Sequence, residues 1–414
     1  MERPRIELDE ERARNYTLVQ VDSAFVGLVT VAGTFLPVLL VRLGASGTEV
    51  GLLTSLPALT AFLLAIPAGR WLQRRRNIVP WYSRLRLVAW LGYGVMALAA
   101  MLLPASAAVP AVLVVWAAAS LPSTAALVAF PIVMDGAAGP RGRFDLLGRR
   151  WAIAGAATTL GVVGAGQALG LLPFPANFGL LLAGCALAGA ASFGVSRRIA
   201  IPNQAMARDG PRVAMGARVG GFVRLIRGRA TFLDYELRAF VFTAGIGIAT
   251  PLLPLLYVNE IAAPNSWIGI IGAAQSVGGV AGYLVARRAS RRRGGATVLL
   301  PSMLAAALAP AGMALLHDLP MVAALALLGG LAMAGTQLGL FNELMKRVPR
   351  EHGVTFSSVD QTLQNLALVV APSAGGLLAM TIGVRYGLAV AAMVAFVGFG
   401  LFAIDWWAGR PAGG

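Results

Sequence analysis

Apolar runs of about twenty residues recur from one end of this chain to the other, separated by short polar or basic connections. About twenty helical residues are needed to cross a hydrocarbon core of about 30 Å. Within such a core the backbone must satisfy its own hydrogen bonds, and helices do this segment by segment. Of the 414 residues 57% are hydrophobic and only 13% charged, whereas about one-quarter of a typical soluble domain is charged. An all-α polytopic membrane protein is therefore expected. The opening "MERPRIELDEERARNY" mixes acids with bases, and the run after it is too long for the apolar region of a secretory signal, so no cleaved leader is expected.

Reading apolar windows between charge clusters predicts twelve helices. The first six lie near 18–42, 49–71, 81–103, 108–134, 150–172 and 176–195. The second six lie near 238–258, 265–288, 296–316, 319–345, 357–381 and 384–406. The odd-numbered connections are nearly free of base: "PASAAVP", "LPFPAN" and "HDLP" carry none, and of 34 Lys and Arg only Arg42 and Arg385 fall on that side. Cytoplasmic loops retain basic residues, so both termini are expected in the cytoplasm. The net charge of +16 then reads as a topology signal, with attraction to anionic headgroups as a secondary effect.

The two halves repeat each other. "RARNYTLVQVDSAFV", Arg12 to Val26, matches "RGRATFLDYELRAFV", Arg227 to Val241, at two arginines, a leucine and the closing Ala-Phe-Val. Downstream, Pro37 pairs with Pro254 and Gly51 with Gly269, and the arginines of "GRWLQRRRN" fall on those of "RRASRRRGG", Arg74 on Arg292 and Arg75 on Arg293. Self-similarity at half the chain length, with six spans in each half, implies two pseudo-symmetric six-helix bundles. The expected division is 1–195 for the first bundle, 196–237 for a basic cytoplasmic linker and 238–414 for the second. Within the linker, "RVGGFVRLIRGR" could lie on the membrane surface as an amphipathic helix.

These features resemble the major facilitator superfamily: two homologous six-helix halves, a long basic central loop, and a Gly-to-Arg cluster after spans two and eight. The family's loop after span two usually reads Gly-x-Leu-Ala-Asp-Arg-x-Gly-Arg-Arg. Here Gly69 opens it, Trp71 and Leu72 replace the leucine and alanine, Gln73 replaces the aspartate, Arg74 matches the arginine, and Arg76 stands at the second glycine. The resemblance makes Gly69, Gln73, Arg74 and Arg292 candidate gating residues, although Gln73 cannot neutralise an arginine as an aspartate does. It also implies secondary active transport of a small organic solute by alternating access across a cytoplasmic (bacterial inner) membrane, with ion or proton coupling. The expected form is a monomer without cofactor or metal. The proline of the family's span-five antiporter signature and the span-four arginine of many proton-driven exporters are both missing.

Polar residues inside spans are the candidates for substrate or proton handling, because they are costly there and commonly functional. Asp22 is the carboxylate of the first span, with Thr30 and Thr34 further along it; it either titrates or pairs with an arginine. "SSVDQTLQN" opens span eleven, where Asp360 and Gln364 share one helical face and Gln361 and Asn365 another. Gln167, Gln275, Thr336 and Gln337 lie deeper in spans five, eight and ten. No buried arginine is expected, so the solute should be neutral, amphipathic or cationic, with export slightly favoured over uptake. His317 and His352 are the only histidines and Cys185 the only cysteine, which excludes an internal disulfide and a histidine-rich metal site. "GAGQALG", Gly164 to Gly170, sits in a continuous apolar helix and reads as close helix packing, not a nucleotide loop. A transporter-like partner or sensor that has lost transport, and a lipid flippase, are the alternatives.

Overall fold

The computed structural model describes residues 5–202, 230–293, 296–347 and 353–407. The described chain is helical, and the spans follow the hydropathy windows closely. In the first half these are α1 (Arg5–Arg42), α2 (Gly47–Gln73), α3 (Val79–Leu102), a helical stretch Ala105–Ala168, and α6 (Ala176–Ser196). The long stretch breaks at Gly139, whose φ of 69° and ψ of 173° are not helical. It is therefore two helices, α4 (105–138) and α5 (140–168). The second half holds α7 (Ala230–Leu255), α8 (Asn265–Arg293), α9 (Ala296–Leu315), α10 (Leu319–Arg347), α11 (Gly353–Thr381) and α12 (Val384–Trp407). Among the described residues eleven segments are long and apolar enough to cross a membrane, and α5 adds a run from 151 to 168 without an ionisable residue.

Local chemistry sets the helix ends. At the end of α1, the Ala45 N–H reaches back to the Leu40 carbonyl and the Gly44 N–H to that of Val41, with Gly44 at φ 89°. That is a Schellman motif, and its left-handed residue favours glycine. Immediately afterwards, the Ser46 Oγ accepts from the Glu49 N–H while the Glu49 carboxylate accepts from the Ser46 N–H, at 3.3 and 2.7 Å. This reciprocal capping box starts α2. Helix α7 carries Pro251 and Pro254 and ends in a π turn, Leu256–Glu260. Proline frees carbonyls one turn back, and a local change of pitch re-satisfies them.

The chain forms two compact units. The first contains 1–45, 59–207 and 263–273; the second contains 46–58, 208–262 and 274–414. Each is mostly one sequence half, with the first part of α2 assigned to the second unit and the first part of α8 to the first. In the first unit α1 packs on α4–α5 and α6, and α3 packs on α4 and α6. Gly166 of α5 meets Gly269 of α8 backbone to backbone; this is the close packing expected of "GAGQALG". In the second unit α7 packs on α11 and α12, and α9 on α10 and α12. There Gly47 abuts Gly376, and Gly51 abuts the Pro372 carbonyl. Lacking a hydrophobic drive between helices in lipid, membrane bundles rely on such small-residue contacts. Outward faces are apolar: Ile66, Leu127, Leu187 and Met393 are 67%, 67%, 71% and 67% exposed. In water such patches would aggregate.

The sequence windows place the start of the second bundle at 238, whereas α7 begins at Ala230. Asp234, Glu236 and Arg238 depress hydropathy there, but their charges are absorbed by burial and pairing. The segment "RVGGFVRLIRGR" lies outside the described residues.

Candidate functional site

Each unit buries an ionisable network. In the first, Asp22 of α1 is fully buried. Its two oxygens accept hydrogen bonds from the Arg86 guanidinium of α3, at 3.0 and 3.1 Å. Ser192 of α6 donates to the same carboxylate, and its Oγ accepts from Arg86 Nη2 at 2.8 Å. Arg86 also lies against the Tyr82 and Trp90 rings, 4.7 and 4.4 Å from their centroids. This fork-to-fork pairing is the strongest geometry a carboxylate and guanidinium can adopt. Arg150 of α5 extends the network: it lies within electrostatic reach of Tyr82 and packs against Phe130 and Trp151, at 4.6 and 5.1 Å.

Arg86 and Arg150 correct the sequence reading, which expects no buried arginine; they are 6% and 5% exposed. Both were hidden by treating bases near span ends as loop charge. Arg86 lies seven residues inside α3, about 10 Å along its axis at 1.5 Å per residue. The signal available was "SRLRLVAW", in which Arg84 and Arg86 sit past the start of a span.

The second network joins α7, α10 and α11. Thr243 of α7 donates to the Gln364 Oε1 at 2.5 Å, and Asp360 lies one turn before Gln364 on α11. Glu236, two turns before Thr243 on α7, is 2% exposed, and neither of its oxygens has a hydrogen-bond partner. Asp360 is within its electrostatic reach. Nearby, Glu343 of α10 pairs with Lys346 and Arg347 at 2.6 and 2.7 Å, and Arg347 lies 5.5 Å from the Tyr235 ring. Tyr235 donates to the Leu340 carbonyl at 3.0 Å. Glu236 lies inside the expected linker, which is why sequence reading passes over it. The internal repeat pointed to it, since Asp22 aligns one residue away.

The remaining predicted residues divide between the units. Thr30 bonds its own helix and the Thr158 hydroxyl of α5 at 3.0 Å. Thr34 touches α8 near Gly272, and Gln167 is exposed near the end of α5. In the second unit, Tyr283 of α8 donates to the exposed Gln337 of α10 at 2.5 Å. Gln275 is exposed, with its carbonyl against Gly330. Thr336 is fully buried with an unpartnered hydroxyl, and Asn365 is half-buried. Thus Asp360 and Gln364 are brought together with Thr243, and Gln337 with Tyr283; Asp22 stands with residues the sequence reading did not select.

In the candidate gating loop, Gly69 lies beside Val128 of α4 with room for a Cβ, Gln73 ends α2, and Arg74 is exposed. Arg75 lies against both Trp71 and Trp81, 5.0 and 4.6 Å from their ring centroids, and the two rings meet edge to face at 4.7 Å. Arg292 lies in the last turn of α8, with its side chain outside the described set. A crevice of about 640 Å³ between α1, α5 and α6 is lined by Leu28, Val31, Leu169 and Leu181. Its Asn177 amide is committed to the Leu169 carbonyl at 2.7 Å. Among the described residues no three His, Cys, Asp or Glu side chains converge as a metal site would require.

Residues 237–412 match the Major Facilitator Superfamily model. Solved structures extend the likeness over the whole chain. A mutant of the nucleoside transporter NupG matches with a TM-score of 0.76 at 13% identity, over 94% of this chain and 99% of that one. A bacterial homologue of the iron transporter ferroportin, in an inward-facing state, matches with 0.74 at 16% identity, over 96% and 99%. A bacterial homologue of the lysosomal transporter Spinster matches with 0.66 at 14% identity, over 98% and 97%. The second half of the chain thus matches the family's sequence model, and the whole chain shares the fold of these transporters. No curated protein matches it. The superfamily fold accounts for the helical repeat, and the chain is an integral, multi-pass membrane protein.

Proposed function

We propose that this protein is a divergent member of the superfamily and a secondary active transporter that moves a small organic solute across the cytoplasmic membrane by alternating access, with proton coupling. The observation that carries the reading is the set of polar groups held inside membrane spans: Asp22–Arg86–Ser192 in the first unit, Thr243–Gln364 and the buried Glu236 in the second. Ionisable groups in hydrocarbon are expensive, and a chain keeps them where they do work. The duplicated fold supports the same reading.

Solute class follows from charge. Arg86 is occupied by Asp22 on both faces of its fork, and so is not offered to an anionic solute. The second network is acidic. A neutral, amphipathic or cationic solute fits this balance. The solved structures of this fold are described as a nucleoside transporter and as a homologue of an iron transporter, so the fold alone does not select the cargo. A metal cargo is disfavoured at Asp22, because a guanidinium holds the oxygens a cation would need. The loop distribution of arginine supports cytoplasmic termini, and composition slightly favours export.

Counterflow in proteoliposomes, run against a panel of labelled nucleosides, sugars, amino acids and lipophilic cations, tests this function. Exchange of one chemical class is expected. Absence of exchange and of thermal stabilisation by any member would refute it.

A further inference from the structure

The crevice between α1, α5 and α6 takes no part in either polar network, and it lies wholly within the first unit. Its volume of about 640 Å³ is that of a ligand site, for which about 300–1,000 Å³ is usual. Small residues open it: Gly161, Ala165 and Ala168 on the α5 wall, Gly184 and Ala188 on the α6 wall. A Cβ on Gly184 would meet no atom within 4 Å, so the α6 wall stands clear of its neighbours there. Leu28 and Leu180, which also line it, are 41% and 55% exposed, so the crevice opens to the outside of the bundle.

The polar side chains of the lining are already bonded. The Asn177 amide donates to the Leu169 carbonyl at 2.7 Å, and its Oδ1 accepts from the Phe178 N–H at 2.8 Å. The Cys185 thiol donates to the Leu28 carbonyl at 3.6 Å. Apart from that thiol, no ionisable side chain is among the described residues that line the crevice. A water needs two to four polar partners, and an apolar cavity without them stays dry. A polar solute would equally find nothing to replace the hydrogen bonds it leaves in water. An empty gap forfeits the dispersion contacts of its walls. The occupant that fits this lining is hydrocarbon.

Depth and position identify its source. Along α6 the crevice runs from Asn177 to Ala188, eleven residues or about 16 Å at 1.5 Å per residue. One leaflet of a hydrocarbon core about 30 Å thick is about 15 Å deep. At its mouth lies the α5–α6 turn, "GLLPFP", which carries no charge. Its floor is near the middle of α6, which spans Ala176–Ser196. The crevice therefore reaches from headgroup level to the midplane, in the leaflet away from the basic connections.

We propose that this crevice is a lipid site, holding one acyl chain of a phospholipid from that leaflet against α1, between α5 and α6. The acyl chain fills the space that larger side chains at Gly184 and Ala188 would otherwise occupy. The site does not depend on the transport reading, because it needs only that the chain spans a membrane.

Photocrosslinking of the full chain in phosphatidylcholine vesicles tests the site. A fraction of the lipid carries a diazirine midway along one acyl chain, and the adducts are mapped by mass spectrometry. Adducts at Leu28 and Leu180 should exceed those at Leu187 and Met393 several-fold, although the latter pair is the more exposed. Gly184→Leu projects into the open space and should bring the crevice adducts down to that background while elution stays monodisperse. Ala168→Leu, on the opposite wall, should do the same and keeps the test decisive if one variant fails to fold. Equal labelling of all four leucine and methionine positions would leave only annular lipid and overturn the proposal. Crevice adducts unchanged in both filled variants would overturn it too. So would displacement of the labelled lipid by tetraphenylphosphonium, which would make the crevice a solute pocket.

Discussion

The Asp22–Arg86 pair offers a double-mutant cycle with a calculable outcome. Asp22 is wholly buried and the Arg86 side chain 7% exposed, with two bonds between them and Ser192 bonded to both. Asp22→Leu leaves a guanidinium in an apolar interior, and Arg86→Met leaves a carboxylate there. Removing one partner of a buried pair costs about 3–5 kcal/mol, whereas replacing both with apolar groups of similar volume is often neutral. A unit of this size loses about 2–4 °C of Tm per kcal/mol, so each single variant should melt roughly 6–20 °C lower. The double variant should recover most of that. Intrinsic fluorescence during heating in detergent is a direct assay, because Trp90 lies against Arg86. Single variants within about 1 kcal/mol of wild type, or a double variant that merely adds the two losses, would refute the structural role given to this pair.

Other consequences follow from packing, capping and topology. A Cβ at Gly278 would overlap the Leu327 carbonyl of α10, so Gly278→Val should abolish monodisperse elution where Gly279→Ala, which meets open space, should not. Ser46→Ala removes half of the capping box and should lower stability by about 1 kcal/mol, read as a Tm loss of a few degrees. In a Cys185→Ser background, cysteines at Phe174 and Asp318 should react with an impermeant maleimide from outside intact cells, and one at Asn77 only after permeabilisation. The reverse pattern would invert the orientation.

Span number and position were legible because hydropathy and length are properties of single segments. "LPFPAN" and "HDLP" marked turns within a few residues of where they occur, since proline and the loss of apolar side chains act locally. The candidate sites were less legible, because their content is pairwise. Asp22 was visible, but its partner Arg86 is 64 residues away and Ser192 is 170, and no local pattern marks which base will be folded inwards. Glu236 was hidden for the opposite reason: three charges in five residues, Asp234 to Arg238, look like loop until pairing removes two of them. Asp360 and Gln364, four apart on one helix, were readable as a pair because helical periodicity alone brings them together. Thr243, on another helix, was not.

The most direct measurement is proton movement driven by solute. Proteoliposomes holding an entrapped pH dye receive a gradient of the solute found by counterflow, with the membrane potential clamped. The chain should move protons with the solute. A solute gradient that moves no protons would contradict the account.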